Sequence, residues 1–172
     1  MRRNIAITIV VVLAALIAGV FLLFREYRLT PQLPDAAREQ KKALAFALPD
    51  YQGNTMRLAD FEGTPLVINA WAAWCPVCRE ELADFAAIQK EFGKKIRIIA
   101  IDRGEPIEVV RRYSDELGVT DDLIFLLDPE DSFYASIGGF SMPETIFVDA
   151  NGFIRMHKRG PMTREEMRRR IQ

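Results

Sequence analysis

Cysteine and histidine are scarce in this chain of 172 residues: Cys75 and Cys78 are the two cysteines and His157 the one histidine. Two cysteines are too few for a disulfide framework, and at 49% hydrophobic residues a core of this size holds without one. Cysteines three apart close a very small loop, so a stapling role would also stabilise little. A structural zinc site takes four ligands, mostly Cys and His, so Cys-x-x-Cys with one histidine is a ligand short and a full set would need carboxylates. No metal and no cofactor is expected. Charge of one sign is lacking too, with 23 Lys and Arg against 24 Asp and Glu. No global basic field exists to draw nucleic acid. Internal repeats and low-complexity segments are absent.

One long uncharged stretch is present, "IAITIVVVLAALIAGVFLLF" at residues 5–24. A helix needs about 20 apolar residues to cross a bilayer, so residues 1–24 are expected to be a transmembrane signal anchor, longer than the apolar region of a cleaved signal peptide. Arg2 and Arg3 ahead of it favour a cytoplasmic N-terminus, although Arg25 and Arg28 weaken that bias. The expectation is a single pass through the cytoplasmic membrane, with the rest of the chain facing the periplasm or cell exterior. No cysteine follows the segment, which excludes lipid attachment there. Residues 25–43 are polar, carry Pro31 and Pro34, and read as a linker.

The domain is expected over 44–172. "FALPDYQGNTMRLADFEG" suggests a hairpin around Gly53-Asn54, and "PLVINAWAA" (65–73) a strand buried on both faces that runs straight into Cys75. Val77, Leu82, Phe85, Ile88 and Phe92 then recur at helical spacing up to Gly93. A strand at 96–102, a helix from Pro106 to Leu117, a strand at 123–128 and a short helix over 132–137 follow. A hairpin around Asn151-Gly152 places His157 on a strand, where a solvent-facing position is the ordinary expectation. Thr163 and Glu166 have capping-box spacing for a final helix, whose Arg168, Arg169 and Arg170 suit its C-terminal end.

The cysteines therefore stand where a central strand hands over to a helix. A helix N-terminus favours a thiolate, Pro76 suits the first turn because it lacks an amide hydrogen, and Cys78 lies one turn further in. Cys75 is the expected attacking thiol and Cys78 the resolving one.

With "FALPDYQGNTMRLADFEGTPLVINAWAAWCPVCREEL", "GGFSMPETIFVDANGFI" and "GPMTREEM" in order, the chain from Phe46 onward resembles the membrane-anchored, thioredoxin-like thiol-disulfide oxidoreductases of the TlpA, ResA and CcmG (DsbE) type. The resemblance implies an α/β, thioredoxin-like fold: a central mixed sheet flanked by helices, with an N-terminal hairpin extension. It makes Pro143 the counterpart of a cis-proline whose loop faces the cysteines, with Met142 against the disulfide. Asn69 takes the strand position of a proton-assisting aspartate in classical thioredoxins, and Glu81 matches the branch's active-site glutamate, able to exchange protons with Cys78 if burial raises its pKa. Glu80 and Glu144 are the neighbouring alternatives. Trp74 is expected on an exposed apolar rim where substrate docks, and Trp71 in the core.

The implied function is reduction of disulfides in protein substrates, such as the haem-site cysteines of apocytochrome c, with electrons from a membrane donor such as a transmembrane thiol-disulfide carrier. An oxidant, a reductase for copper-site cysteines, and a non-catalytic tethered redox sensor or metal-delivery module are the alternatives.

Overall fold

The computed structural model describes residues 16–22 and 41–171. The chain divides into two units, 1–39 and 40–172. In the first, residues 16–22 form helix α1, whose side chains are all exposed; most of the expected anchor and linker residues 25–40 lie outside the described residues. Among the described residues no helix is long and apolar enough to cross a membrane.

The second unit is built on a five-stranded mixed sheet of order β5-β4-β3-β6-β7, with β3 (Leu66–Trp71) at its centre. Strands β4 (Arg97–Arg103) and β5 (Ile124–Asp128) run parallel to β3, while β6 (Glu144–Val148) and β7 (Ile154–Arg159) return antiparallel. Every residue of β3 is buried, as an apolar run covered on both faces should be. Val67 and Trp71 alternate with Leu66, Ile68 and Ala70 between two separate cores. Helices α2 (Pro76–Phe92), α3 (Ile107–Leu117) and α5 (Arg164–Ile171) supply Leu82, Phe85, Val110 and Met167 to the first core. The second core is closed by Phe46 and Leu48 from the hairpin β1 (Ala47–Pro49) and β2 (Thr55–Arg57), and by Phe133 and Tyr134 from α4 (Ser132–Ser136).

Local chemistry explains the helix ends. Gly118 stops α3 in the left-handed region (φ 66°), and Thr163 Oγ1 accepts the Glu166 amide at 3.2 Å to open α5. Gly93 ends α2 with φ 56° and ψ −127°, outside the left-handed helical region. Residues 41–43, read from composition as the end of the linker, are instead tied to the Asn151-Gly152 turn. Ile154 N donates to Lys41 O at 2.8 Å and Ala43 N to Gly152 O at 2.9 Å. Backbone pairing, invisible to composition, holds these polar residues.

Gly139 packs directly under the Tyr134 ring, and a Cβ there would overlap the ring carbons. The ring is not free to swing away, because Tyr134 Oη donates to Ser141 O at 2.7 Å and Arg103 lies over its face. Gly139→Ala should cost about 1–3 kcal/mol in urea unfolding of the oxidised chain. A change below about 0.5 kcal/mol would show that the ring relocates freely.

Candidate active site

The active site grows from the C-terminal end of β3. Ala72 O accepts the Cys75 amide at 3.1 Å, turning the chain so that Cys75 becomes the N-cap of α2 and Pro76 its first residue. Cys75 and Cys78 form a disulfide with Cα atoms 5.4 Å apart. No side chain caps the helix at Cys75, so the first amides of α2 and its dipole are available to a Cys75 thiolate once the bond opens. In the oxidised state both cysteines are buried, Cys78 completely, while Trp74 (61% exposed) and Val77 (44%) stand out beside them.

Asn69 and Glu81, twelve residues apart, meet inside. Glu81 is 2% exposed, and its carboxylate accepts two hydrogen bonds of 3.0 Å, from Asn69 Nδ2 and from the Met162 amide. Asn69 Nδ2 also donates to Thr145 Oγ1 at 3.0 Å, while its Oδ1 is buried without a partner. Burial dominates and pushes Glu81 up to about 7, against the opposing pull of the Met162 and Asn69 hydrogen bonds and of Lys158. Glu81 follows Cys78 by three positions and lines a cavity of about 330 Å³ together with Val77, Glu80 and Met162. That cavity is a path by which a proton on Glu81 reaches solvent. Glu80 itself is exposed on the helix.

The Met142-Pro143 peptide is cis. Pro143 is buried, and the half-buried Met142 packs against both cores. The loop is tied inward from several sides. Glu144 Oε1 accepts the amides of Phe140 (2.6 Å) and Ser141 (2.7 Å), and Gly160 N donates to Pro143 O at 2.9 Å. Phe140 is left 84% exposed.

Two side chains differ from their expected settings. Glu144 is fully buried; burial pushes its pKa up, but the Ser141 and Phe140 amides and His157 outweigh it and hold it below the ordinary carboxylate range. It is an ionised clamp for the loop, poorly suited to carrying protons. His157 does not face solvent as an alternating strand would have it: its Nε2 lies 2.5 Å from Glu144 Oε2, because β7 pairs with β6 and turns this face toward the buried acid.

Sequence reasoning passed over Thr145, Met162, Phe140, Asp102 and Glu105. Phe140 and Thr145 lie within the quoted "GGFSMPETIFVDANGFI", and Asp102 is a lone acid closing the apolar run "IRIIAID". Met162 acts through its backbone amide, which no side-chain pattern marks. Among the described residues no three His, Cys, Asp or Glu side chains converge as a metal site would require.

A family model described as AhpC/TSA matches residues 40–157. The chain belongs to the AhpC/TSA family. Within it, this thiol-disulfide oxidoreductase is of the DsbE and ResA type, with Cys75-Cys78 as its Cys-x-x-Cys pair. It is similar to the thiol:disulfide interchange protein DsbE of Allochromatium vinosum, 32% identical over 157 residues that cover 88% of this chain and 83% of the relative. It is similar also to the thiol-disulfide oxidoreductase ResA of Geobacillus thermodenitrificans, 27% identical over 74% of this chain and 72% of that one. A crystal structure of a candidate thiol:disulfide interchange protein DsbE from Chlorobium tepidum matches with TM-score 0.71 at 22% identity, covering 77% of this chain and 94% of the other. The oxidoreductase thus has the thioredoxin-like α/β fold with its mixed sheet.

Proposed function

We propose that this oxidoreductase reduces disulfides in polypeptide substrates on the extracytoplasmic side of the cytoplasmic membrane, with residues 1–24 as its anchor, 25–43 as a linker and 44–172 as the catalytic domain. The observation that carries the reading is the buried Glu81, poised near neutral pH on the helix that bears Cys78. A proton acceptor at that place serves the resolving step. Cys75 thiolate attacks one sulfur of the substrate disulfide, forming a mixed disulfide and expelling the other sulfur as thiolate. Cys78 gives its proton to Glu81 and attacks Cys75 Sγ; the substrate's second thiolate leaves and the Cys75-Cys78 disulfide re-forms. Two electrons pass to the substrate in sum; the Cys78 proton held on Glu81 returns to one of the two substrate thiolates, and the other takes its proton from solvent.

Trp74, Val77 and Phe140 supply an apolar surface around the disulfide and the cis-proline loop, suited to an extended chain rather than a small polar molecule. Relatives named as a thiol:disulfide interchange protein and a thiol-disulfide oxidoreductase support exchange with disulfides; the resemblance to the TlpA, ResA and CcmG type suggests an apocytochrome c cysteine pair as substrate and a transmembrane thiol-disulfide carrier as electron donor. The exposed, wholly apolar side chains of Leu16, Ile17, Val20, Phe21 and Leu22 support the anchor.

An oxidised synthetic peptide containing Cys-x-x-Cys-His, mixed with the reduced full chain, should gain two thiols per protein consumed. In intact cells a membrane-impermeant maleimide should label Cys75 after mild reduction. Labelling seen only after lysis would contradict the proposed side of the membrane, and an unreduced peptide would contradict the substrate.

A further inference from the structure

A second group of acids lies on the other side of the active-site turn, and the exchange chemistry does not use it. Strand β4 ends at Arg103, and its Asp102 is the register partner of Trp71 on β3. Asp102 is completely buried. Its Oδ1 accepts the Glu105 amide at 2.9 Å, and its Oδ2 is buried with no protein donor. The Glu105 carboxylate lies against it and reaches across to the turn before Cys75, where Oε2 accepts the Ala73 amide at 2.5 Å. Glu105 also lines a cleft of about 470 Å³ with Ala73, Trp74, Arg112 and Tyr113.

We propose that Asp102 and Glu105 are a second acid pair that holds one proton between them and positions the turn carrying Cys75. Two ionised carboxylates side by side away from water repel, so one keeps its proton. Glu105, wetted by the cleft and gripping an amide in a short charge-assisted bond, is the ionised member. Asp102, with an oxygen that meets no donor, is the protonated one. Burial above all, together with the Glu105 carboxylate, raises Asp102 to about 8, although the Glu105 and Arg103 amides oppose the rise. Removing the shared proton sets two negative charges against each other and loosens the hold on Ala73. Both act as positioning residues, through the backbone two residues ahead of the attacking sulfur, for either direction of electron flow.

The other ionisable groups around the pair are Tyr51 from the segment after β1, which feels the Asp102 charge, and Arg112, Tyr113 and Glu116 of α3, which line the cleft with Glu105; Arg111 and Arg79 lie over the Tyr51 and Tyr113 rings. Burial pushes both tyrosines upward, away from the range in which Asp102 responds.

The test is a pH titration of the oxidised full chain by NMR, a state in which neither cysteine ionises. The Asp102 carboxyl carbon should titrate far above the ordinary aspartate range, and the Ala73 amide proton should shift with the same midpoint. Asp102→Asn should abolish the Ala73 step. Glu105→Gln should move the Asp102 step to lower pH, since the neighbouring charge is gone, and Glu81→Gln should leave it in place. An Ala73 amide that stays flat between about pH 6 and 10 in the folded wild type overturns the proposal, as does a step that survives Asp102→Asn. Should Asp102→Asn fail to fold, an Asp102 midpoint unmoved by Glu105→Gln overturns it alone.

Discussion

Cys78→Ser should stall the enzyme with substrate covalently held on Cys75, and turnover should fall to the uncatalysed background. The argument rests on where the two sulfurs stand. Cys75 caps α2, where unsatisfied amides favour its thiolate, whereas Cys78 is enclosed one turn further in and meets only what Cys75 brings to it. Removing the enclosed sulfur leaves the first attack intact and deletes the second, so the mixed disulfide accumulates. Cys75→Ser should instead trap nothing, because the thiol that remains, Cys78, is completely buried and cannot make the first attack. Non-reducing electrophoresis of each full-length variant, with mass spectrometry of any adduct, reads both outcomes. Trapping by Cys75→Ser alone would reverse the assigned roles, and no trapping by either would favour the sensor or metal-delivery alternatives.

Glu81→Gln should slow substrate reduction near neutral pH on the order of 10²-fold, the usual share of a positioned proton carrier. The pH profile is the sharper readout. In the wild type the resolving rate should rise as pH passes about 7, because ionised Glu81 accepts the Cys78 proton. In Glu81→Gln that rise should vanish, leaving only the thiol's own ionisation at higher pH. The same residue makes stability pH-dependent with a definite sign. Its folded pKa lies above the ordinary 4.5, so the native state binds the proton more tightly than the unfolded chain. The resulting stability is complete below about 4.5 and is lost as pH rises through about 7, an effect of about 3 kcal/mol. Asp102 acts in the same direction at still higher pH. Urea unfolding of the oxidised chain should therefore show falling stability from about pH 5 to 8 in the wild type and a flatter profile in Glu81→Gln. Identical profiles of rate and stability in the two proteins would remove Glu81 from the mechanism.

What could be read from residues alone followed from local physics. The unbroken apolar run at 66–71 announces a strand covered on both faces, and Pro76 after Cys75 announces the helix start, so the redox junction was legible before any coordinates. Asn69 in that run was legible as an oddity, but its pairing with Glu81 and Thr145 depends on β3 lying between α2 and β6. Glu144 shows the limit most clearly. A carboxylate after a proline in a polar-looking loop suggests a titrating acid, yet the loop folds its amides onto it and β7 adds His157 from thirteen residues away. Asp102 and Glu105 were hidden for a related reason: Glu105 holds the backbone amide of Ala73 and Asp102 that of Glu105, and amides look alike in every sequence.

The direction of electron flow is the central claim, and the equilibrium reduction potential of the Cys75-Cys78 couple tests it most directly. With the full chain equilibrated against dithiothreitol or glutathione buffers, a reductase of this kind should give a value near about −270 mV or lower. A value near about −120 mV would mark the couple as an oxidant and contradict the account.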